Sequence, residues 1–158
     1  MRNHLSSHAV ADYFLLQVDF LAGDSISHLK LQKLCYYAQA WHLALHAKPL
    51  FADRIEAWTH GPVVPDLYQR FKANSWQTID PQDLRTDPMD EIAGEDRAFL
   101  DQVWERYGGR TGRQLENMTH AEAPWKDAYG DREPGEKCQV EITHEAMREF
   151  YKAKLMIA

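Results

Sequence analysis

LKLQKLCYYAQAWHLAL, which spans Leu29–Leu45, is a segment with few polar residues. Its apolar residues recur at intervals of three and four along one helix face, and others fall on the remaining sides. Ser27 is well placed to cap such a helix at its start, and Pro49 is predicted to end it. A helix that is apolar on several sides belongs in a protein interior. We therefore predict that it is the central element of the fold, with Cys35 and Trp41 inside.

The next informative segment is IEAWTHGPVVPDLY, which spans Ile55–Tyr68. Its first residues and the preceding Leu50–Phe51 are rich in aromatic or branched side chains, and turn-forming residues separate them, which predicts a small β-hairpin. Pro62 suits the first position of a helix, and Pro65 still falls in the first turn. A helix is therefore predicted from Pro62 to about residue 73.

The rest of the chain favours helices over strands. Apolar periodicity, capping residues and terminal Gly or Pro predict five further helices. The first spans about 8–22 with Leu21 inward, and the second spans about 94–107. The others run from a Thr111–Gln114 capping box to Thr119, over 125–129, and onward from Thr143, the last with Met147, Phe150, Tyr151 and Leu155 inward. Val140–Ile142 alternates like an edge strand, and the acidic segment 74–90 is predicted to be a surface loop without an assigned role. The predicted fold is mostly α: a single compact domain over residues 1–158, with about six to seven helices and a small β-hairpin or short edge strands.

Length, charge and cysteine content restrict the class of protein. A chain of 158 residues is long enough for one domain with a single core. The net charge is −6 and the basic residues are scattered; Lys30 and Lys33 share a helix and fit a solvated face. The basic stripe of a nucleic-acid-binding protein is absent, as is an apolar run of membrane-spanning length. We therefore expect a protein that binds neither nucleic acid nor membrane. Cys35 and Cys138 form no CxxC pair, so we expect no disulfide and a cytoplasmic location.

Three histidines are candidates for chemistry. His42 and His46 lie four residues apart on the central helix, the spacing of two ligands to one metal ion. The usual protease helix has Glu after the first His, whereas this chain has Leu43, and no third ligand is evident. His60 precedes a predicted helix start, where free backbone N–H groups favour an anion or a substrate carbonyl. Core packing of His42 and a turn or partner contact for His60 are the simpler interpretations, and a metal- or His-dependent hydrolase using His42, His46 and His60 is the alternative function.

Several motifs together resemble the Panacea domain, a family also described as SocA-like or GepA-like and phage-associated. The motifs are LKLQKLCYYAQAW at Leu29–Trp41, PLF at Pro49–Phe51, EAW at Glu56–Trp58, HGPVV at His60–Val64, and later Leu115, Thr119-His120 and Pro124-Trp125. The likeness runs from about residue 8 to about residue 154. It implies a mostly α-helical antitoxin that blocks a toxin encoded beside it by direct protein contact. Some members deliver their toxin to a protease, so the implied partners are a cognate toxin and a cytoplasmic AAA+ protease.

The resemblance brings no catalytic residue, cofactor or metal ligand, and we predict none. Because the chain shows no detached tail, we expect the folded domain itself to bind the toxin. A proline-fixed turn with aromatic neighbours presents contact area at low entropic cost. The predicted partner-binding residues are Trp58, His60, Pro62, Val63, Pro65 and Tyr68.

Overall fold

The computed structural model describes residues 4–74, 78–79 and 84–157. In chain order the elements are α1 (Ser7–Gln17), α2 (His28–His46), β1 (Ile55–Trp58), β2 (Gly61–Val63), α3 (Pro65–Phe71), α4 (Pro88–Glu91), α5 (Gly94–Tyr107), α6 (Gly112–His120), α7 (Ala123–Tyr129), β3 (Glu141–Ile142) and α8 (His144–Ile157). The prediction of a mostly α, compact fold with a small β element is confirmed. None of the described helices combines the length and hydrophobicity needed to cross a membrane.

The central position of α2 is also confirmed. Every residue from Leu31 to Trp41 is buried, and α1, α3, α5, α6 and α8 all pack against this helix. Ser27 Oγ accepts a hydrogen bond from the backbone N–H of Lys30 at 3.1 Å, as the predicted cap requires. The helix ends at His46 because Ala47 adopts a left-handed conformation with φ of 58°, before Pro49 is reached.

The predicted pairing of the hairpin is wrong. β1 pairs with β2 across the two-residue turn Thr59-His60, and the antiparallel strand order is β2-β1-β3. Leu50–Phe51 lies elsewhere, because the side-chain amide of Gln39 binds its backbone: Oε1 accepts from both N–H groups, and Nε2 donates to Phe51 O at 2.8 Å. A long-range contact with α2 therefore outweighs local hairpin formation.

The predicted start of the third helix is also wrong. Pro62 lies in β2, opposite Ala57, and α3 begins at Pro65. A strand at the edge of a sheet tolerates proline, because not all of its N–H groups are needed for pairing. Pro65 occupies the first turn of α3, the position that suits a residue without an N–H.

Two predicted helix faces need correction. α1 ends at Gln17, and a separate short 3₁₀ turn follows because Asp19 caps the N–H of Ala22 at 3.1 Å; Leu21 on this turn is fully exposed. In α8, Met147 and Tyr151 are buried as predicted, whereas Phe150 is only partly buried and Leu155 is 40% exposed. The predicted bounds of α5, the capping box of α6 and the placement of α7 are confirmed.

The predicted surface loop 74–90 is anchored at several described positions; residues 75–77 and 80–83 lie outside the described residues. Ile79 is buried and donates its N–H to Ile26 O at 2.9 Å. The fully buried Asp12 of α1 accepts hydrogen bonds from the backbone of Arg85 and Thr86 and from the Thr86 hydroxyl. The helix α4 begins inside the predicted loop, and it raises the number of helices in the described part of the chain above the predicted six to seven.

Candidate functional site

The two most characteristic sequence segments are bonded directly to each other. Gln32 of α2 receives the Val64 N–H on Oε1 at 2.9 Å and donates from Nε2 to the Val64 carbonyl at 3.5 Å. The neighbouring Lys33 donates from Nζ to the Pro62 carbonyl at 3.2 Å. Two successive side chains of the central helix thus fix the backbone on the far side of the hairpin turn.

Lys33 contradicts the prediction of a solvated helix face. Its side chain is fully buried beneath the hairpin. Burial lowers the pKa of Lys33 to about 7, and the carboxylate of Glu116 on α6 opposes this shift. The charged and neutral forms of this lysine are therefore close in free energy near neutral pH.

Gly61 is required at the turn for two separate reasons. Its φ is +107°, a conformation that residues with a Cβ rarely adopt. A Cβ at this position would also lie 2.7 Å from Lys33 Cε and 2.9 Å from Thr119 Oγ1. The hairpin therefore approaches α2 and α6 more closely than any larger residue permits.

Helices α6 and α7 hold the hairpin from the other side. His60 Nδ1 lies 3.3 Å from Glu116 Oε2, and the Trp125 indole donates to the Trp58 carbonyl at 2.8 Å. The His120 imidazole stacks on Trp125 with ring centroids 4.0 Å apart. Burial lowers the pKa of His120, and its buried Nε2 has no hydrogen-bond partner among the described residues. The turn is thus fixed by contacts from three helices.

An aromatic groove opens on the outer face of this hairpin. The Trp58 and Tyr68 rings lie 4.9 Å apart, and Tyr68 also stacks on the buried ring of His28 at 5.5 Å. The groove has a volume of about 510 Å³. It is lined by Trp58, Thr59, His60 and Tyr68 on one side and by Gly135, Lys137, Cys138 and Gln139 on the other. The loop side is tied down by the Thr59 hydroxyl, which donates to the Glu136 carbonyl at 3.1 Å.

The predicted partner-binding residues divide into two layers. His60 is exposed over 52% of its side chain, and Trp58, Pro65 and Tyr68 are partly exposed. Pro62 and Val63 are buried, so in this fold they are not available for contact with a partner. Pro62 and Val63 are buried because Lys33 and Gln32 hydrogen-bond to the backbone of Pro62 and Val64 and hold this edge of the hairpin against α2.

The histidines of the hydrolase alternative do not converge. His42 and His46 contact each other with ring centroids 4.7 Å apart, and both pack on Phe99 of α5. Gly61, the residue after His60, lies against Lys33, which is nine residues, or about 13.5 Å, along α2 from His42. Within the described part of the chain, no group of three or more His, Cys, Asp or Glu side chains is arranged to hold a metal ion.

Cys35 has the predicted core position, being fully buried in α2. Burial raises the pKa of its thiol, so the sulfur stays protonated at neutral pH. The residues that the sequence alone did not assign to the site are Lys33, Glu116 and His120. The available signals were a lysine within a largely apolar helix and the Thr119-His120 motif of the family resemblance.

Comparison with known proteins places this arrangement in a family. A family model described as "Antitoxin SocA-like, Panacea domain" matches residues 31–126. The chain belongs to this family. The match begins in α2 and ends in α7, and it therefore contains Lys33, the whole hairpin, Glu116 and Trp125.

A curated relative agrees with the family assignment. Antitoxin SocA of Caulobacter vibrioides (strain NA1000 / CB15N) is 32% identical over 112 residues, an alignment that covers 63% of this chain. The alignment spans 58% of the relative, less than two thirds of its length. No solved structure matches the chain.

Proposed function

We propose that this chain is an antitoxin that neutralises a toxin protein by direct binding. Membership of the SocA-like family and the likeness to a protein named Antitoxin SocA support this role. In this proposal the toxin contacts the outer layer of the predicted surface, formed by Trp58, His60, Pro65 and Tyr68. The buried Pro62 and Val63 support that layer from beneath.

The observation that carries the proposal is the fixed geometry of the hairpin. Lys33, Gln32 and Trp125 bind three backbone carbonyls of the segment from Trp58 to Val64. A surface that is rigid before binding loses little conformational entropy on binding. Tryptophan and tyrosine are also enriched among the residues that dominate binding energy at protein interfaces. The hairpin therefore combines pre-organisation with suitable side chains.

The proposal is tested with the protein encoded by the adjacent open reading frame. Expression of that protein alone should stop growth, and co-expression with this chain should restore it. Tyr68→Ala removes one of the two aromatic rings of the groove, and we expect the dissociation constant to rise roughly tenfold or more, as for a central interface residue. Gln69→Ala, at the next and exposed position of α3, is the matched control and should change it little.

Two results would count against this proposal. If neither adjacent protein is toxic, or if the two proteins do not form a complex, the antitoxin role is wrong for this chain. If Tyr68→Ala and Gln69→Ala bind equally well, binding occurs but on another surface. Circular dichroism on both variants separates loss of contact from loss of fold.

A protease-adaptor role is a separate proposal that rests on the family resemblance. It predicts that the toxin is degraded faster in cells that contain this chain. The half-life of the toxin, measured with and without the chain after translation is stopped, tests it. A half-life that does not shorten would leave inhibition by binding as the only activity.

A further inference from the structure

The outer edge of the sheet carries backbone groups directed away from the protein. The Val140 carbonyl accepts the Ala57 N–H at 2.8 Å, and β3 continues this antiparallel pairing with β1. Successive residues of a paired strand direct their N–H and C=O groups to opposite sides. The groups of Gln139 and Glu141 therefore point away from β1, and among the described residues none of them has a hydrogen-bond partner.

The two edges of this sheet differ. At the β2 edge, Lys33 binds the Pro62 carbonyl and Gln32 binds both backbone groups of Val64, so α2 covers it. At the β3 edge, Gln139, Val140 and Glu141 are exposed in succession. Because β3 is the last strand in the order β2-β1-β3, no described strand pairs with its outer side, and this edge is open.

The open edge adjoins the aromatic groove. Lys137 and Gln139 line the groove opposite Trp58 and Tyr68. Gln139 is thus shared: it borders the groove and also belongs to the edge. A chain that enters along the groove can continue directly onto the edge strand.

The charge around this edge is negative. The segment 131–141 exposes four acidic side chains and two basic ones: Asp131, Glu133, Glu136 and Glu141 against Arg132 and Lys137. Long, open edges usually promote aggregation, and short strands with charged neighbours prevent it. The same acidic charges favour an incoming segment that carries Lys or Arg.

We propose that the β3 edge binds an extended, basic segment of the toxin, which adds a fourth strand to the sheet. Unpaired alternate N–H and C=O groups recognise an extended chain through its backbone, and the acidic surroundings select its charge. This inference rests on the proposed function, and it assigns the toxin a second contact beyond the hairpin. The edge supplies the backbone hydrogen bonds, while the groove beside it receives side chains.

Hydrogen exchange on the complex with the adjacent-frame protein tests the inference without any substitution. The backbone N–H groups of Gln139 and Glu141 should exchange rapidly in the free chain. In the complex they should be protected, since each gains an acceptor from the added strand. Protection confined to the hairpin and α3 would overturn the inference while leaving the antitoxin role intact.

Paired substitutions separate backbone from side-chain recognition. Glu141→Pro and Gln139→Pro each remove an outward N–H without removing a donor to β1. We expect each to weaken binding roughly five- to tenfold relative to Glu141→Ala and Gln139→Ala, which keep the N–H. Equal affinity of the Pro and Ala variants would show that the toxin does not bind the backbone N–H groups of residues 139 and 141.

The basic character of the partner segment has its own test. Glu141→Ala should weaken binding at about 0.05 M salt, and this loss should largely disappear at about 0.5 M because exposed charges are then screened. A loss independent of salt would exclude charge selection.

If the free chain dimerises with protection of the same two N–H groups, the edge binds a second copy, and the inference is wrong. Absence of any complex would refute the proposed function and this inference together.

Discussion

Lys33 places a titratable group in the core directly beneath the surface that we propose for binding. A lysine is seldom fully buried, because transfer of its charge from water is unfavourable. Here the ammonium group binds the Pro62 carbonyl and faces Glu116, so the site compensates part of that penalty. The residue positions the hairpin, and its protonation affects the stability of the fold.

The pH dependence of unfolding should report on Lys33. Burial lowers its pKa from 10.5 to about 7, so between these values the unfolded chain binds a proton that the folded chain does not. The free energy of unfolding therefore rises with pH in this window, by at most about 1.4 kcal/mol per pH unit from this group. Lys33→Met keeps a similar apolar stem and should lose this rise. Urea unfolding at several pH values between 7 and 10.5 measures the difference, and parallel curves for both proteins would contradict the assignment.

Gly61 makes a second prediction at the residue scale, and Gly135 supplies its control. Both have positive φ, but a Cβ at Gly61 would collide with Lys33 and Thr119, whereas nothing lies within 4 Å of one at Gly135. Gly135→Ala should cost only about 1 kcal/mol of backbone strain, and Gly61→Ala should cost about 2 kcal/mol or more. Equal costs in denaturant unfolding would mean that the hairpin moves away from α2 freely.

Whole elements show which features the sequence was able to predict. α5, α6 and α7 were predicted because their signals are local: a glycine pair, a capping box and a proline in the first turn. The hairpin partner of β1 was not predictable in this way. Gln39, eleven residues before Leu50, hydrogen-bonds to the Leu50–Phe51 backbone and keeps this segment out of the sheet. Gln32 and Lys33 hold β2, the observed partner of β1, from about thirty residues away along the chain. Such strand pairings depend on tertiary contacts, and the hydrophobic periodicity of a sequence gives no information about those contacts.

Asp12 joins three elements, and its removal should be costly. Its buried carboxylate accepts from Arg70 of α3 at 2.5 Å and from the backbone of Arg85 and Thr86 before α4. Asp12→Asn removes the negative charge of the buried Asp12–Arg70 ion pair, which should destabilise the fold by about 3–5 kcal/mol. Asp66→Asn is the matched control, because Asp66 is 65% exposed and its ion pair among the described residues is with His8 at 2.7 Å; it should cost less than about 1 kcal/mol. Similar melting temperatures for the two variants would contradict the anchoring role.

At the scale of the whole molecule, the elements outside the matched segment complete the core. The family match ends at residue 126, yet α8 packs along α2, where the Tyr151 hydroxyl lies 3.1 Å from that of Tyr36 and donates to Glu122 at 2.8 Å. On the other side, α1 places Phe14 in the same core. We therefore propose that one domain extends over residues 1–158. The hairpin side of the candidate surface lies inside the matched segment, whereas the loop side of the groove lies outside it, as do α1 and α8, which pack against α2.

A fragment of residues 27–130 tests this proposal, because it keeps α2 to α7 with the Ser27 cap and removes α1, β3 and α8. Val10, Phe14 and Met147 are fully buried in the intact chain, and each such side chain contributes roughly 1.5–3 kcal/mol. Their loss is comparable with the net stability of an ordinary domain, about 5–15 kcal/mol, and it also exposes Tyr36 and Tyr37. We expect the fragment to lack a cooperative thermal transition, while residues 4–157 unfold in one step. A fragment that melts cooperatively and still binds the toxin would show that α2 needs neither flanking helix to hold the hairpin.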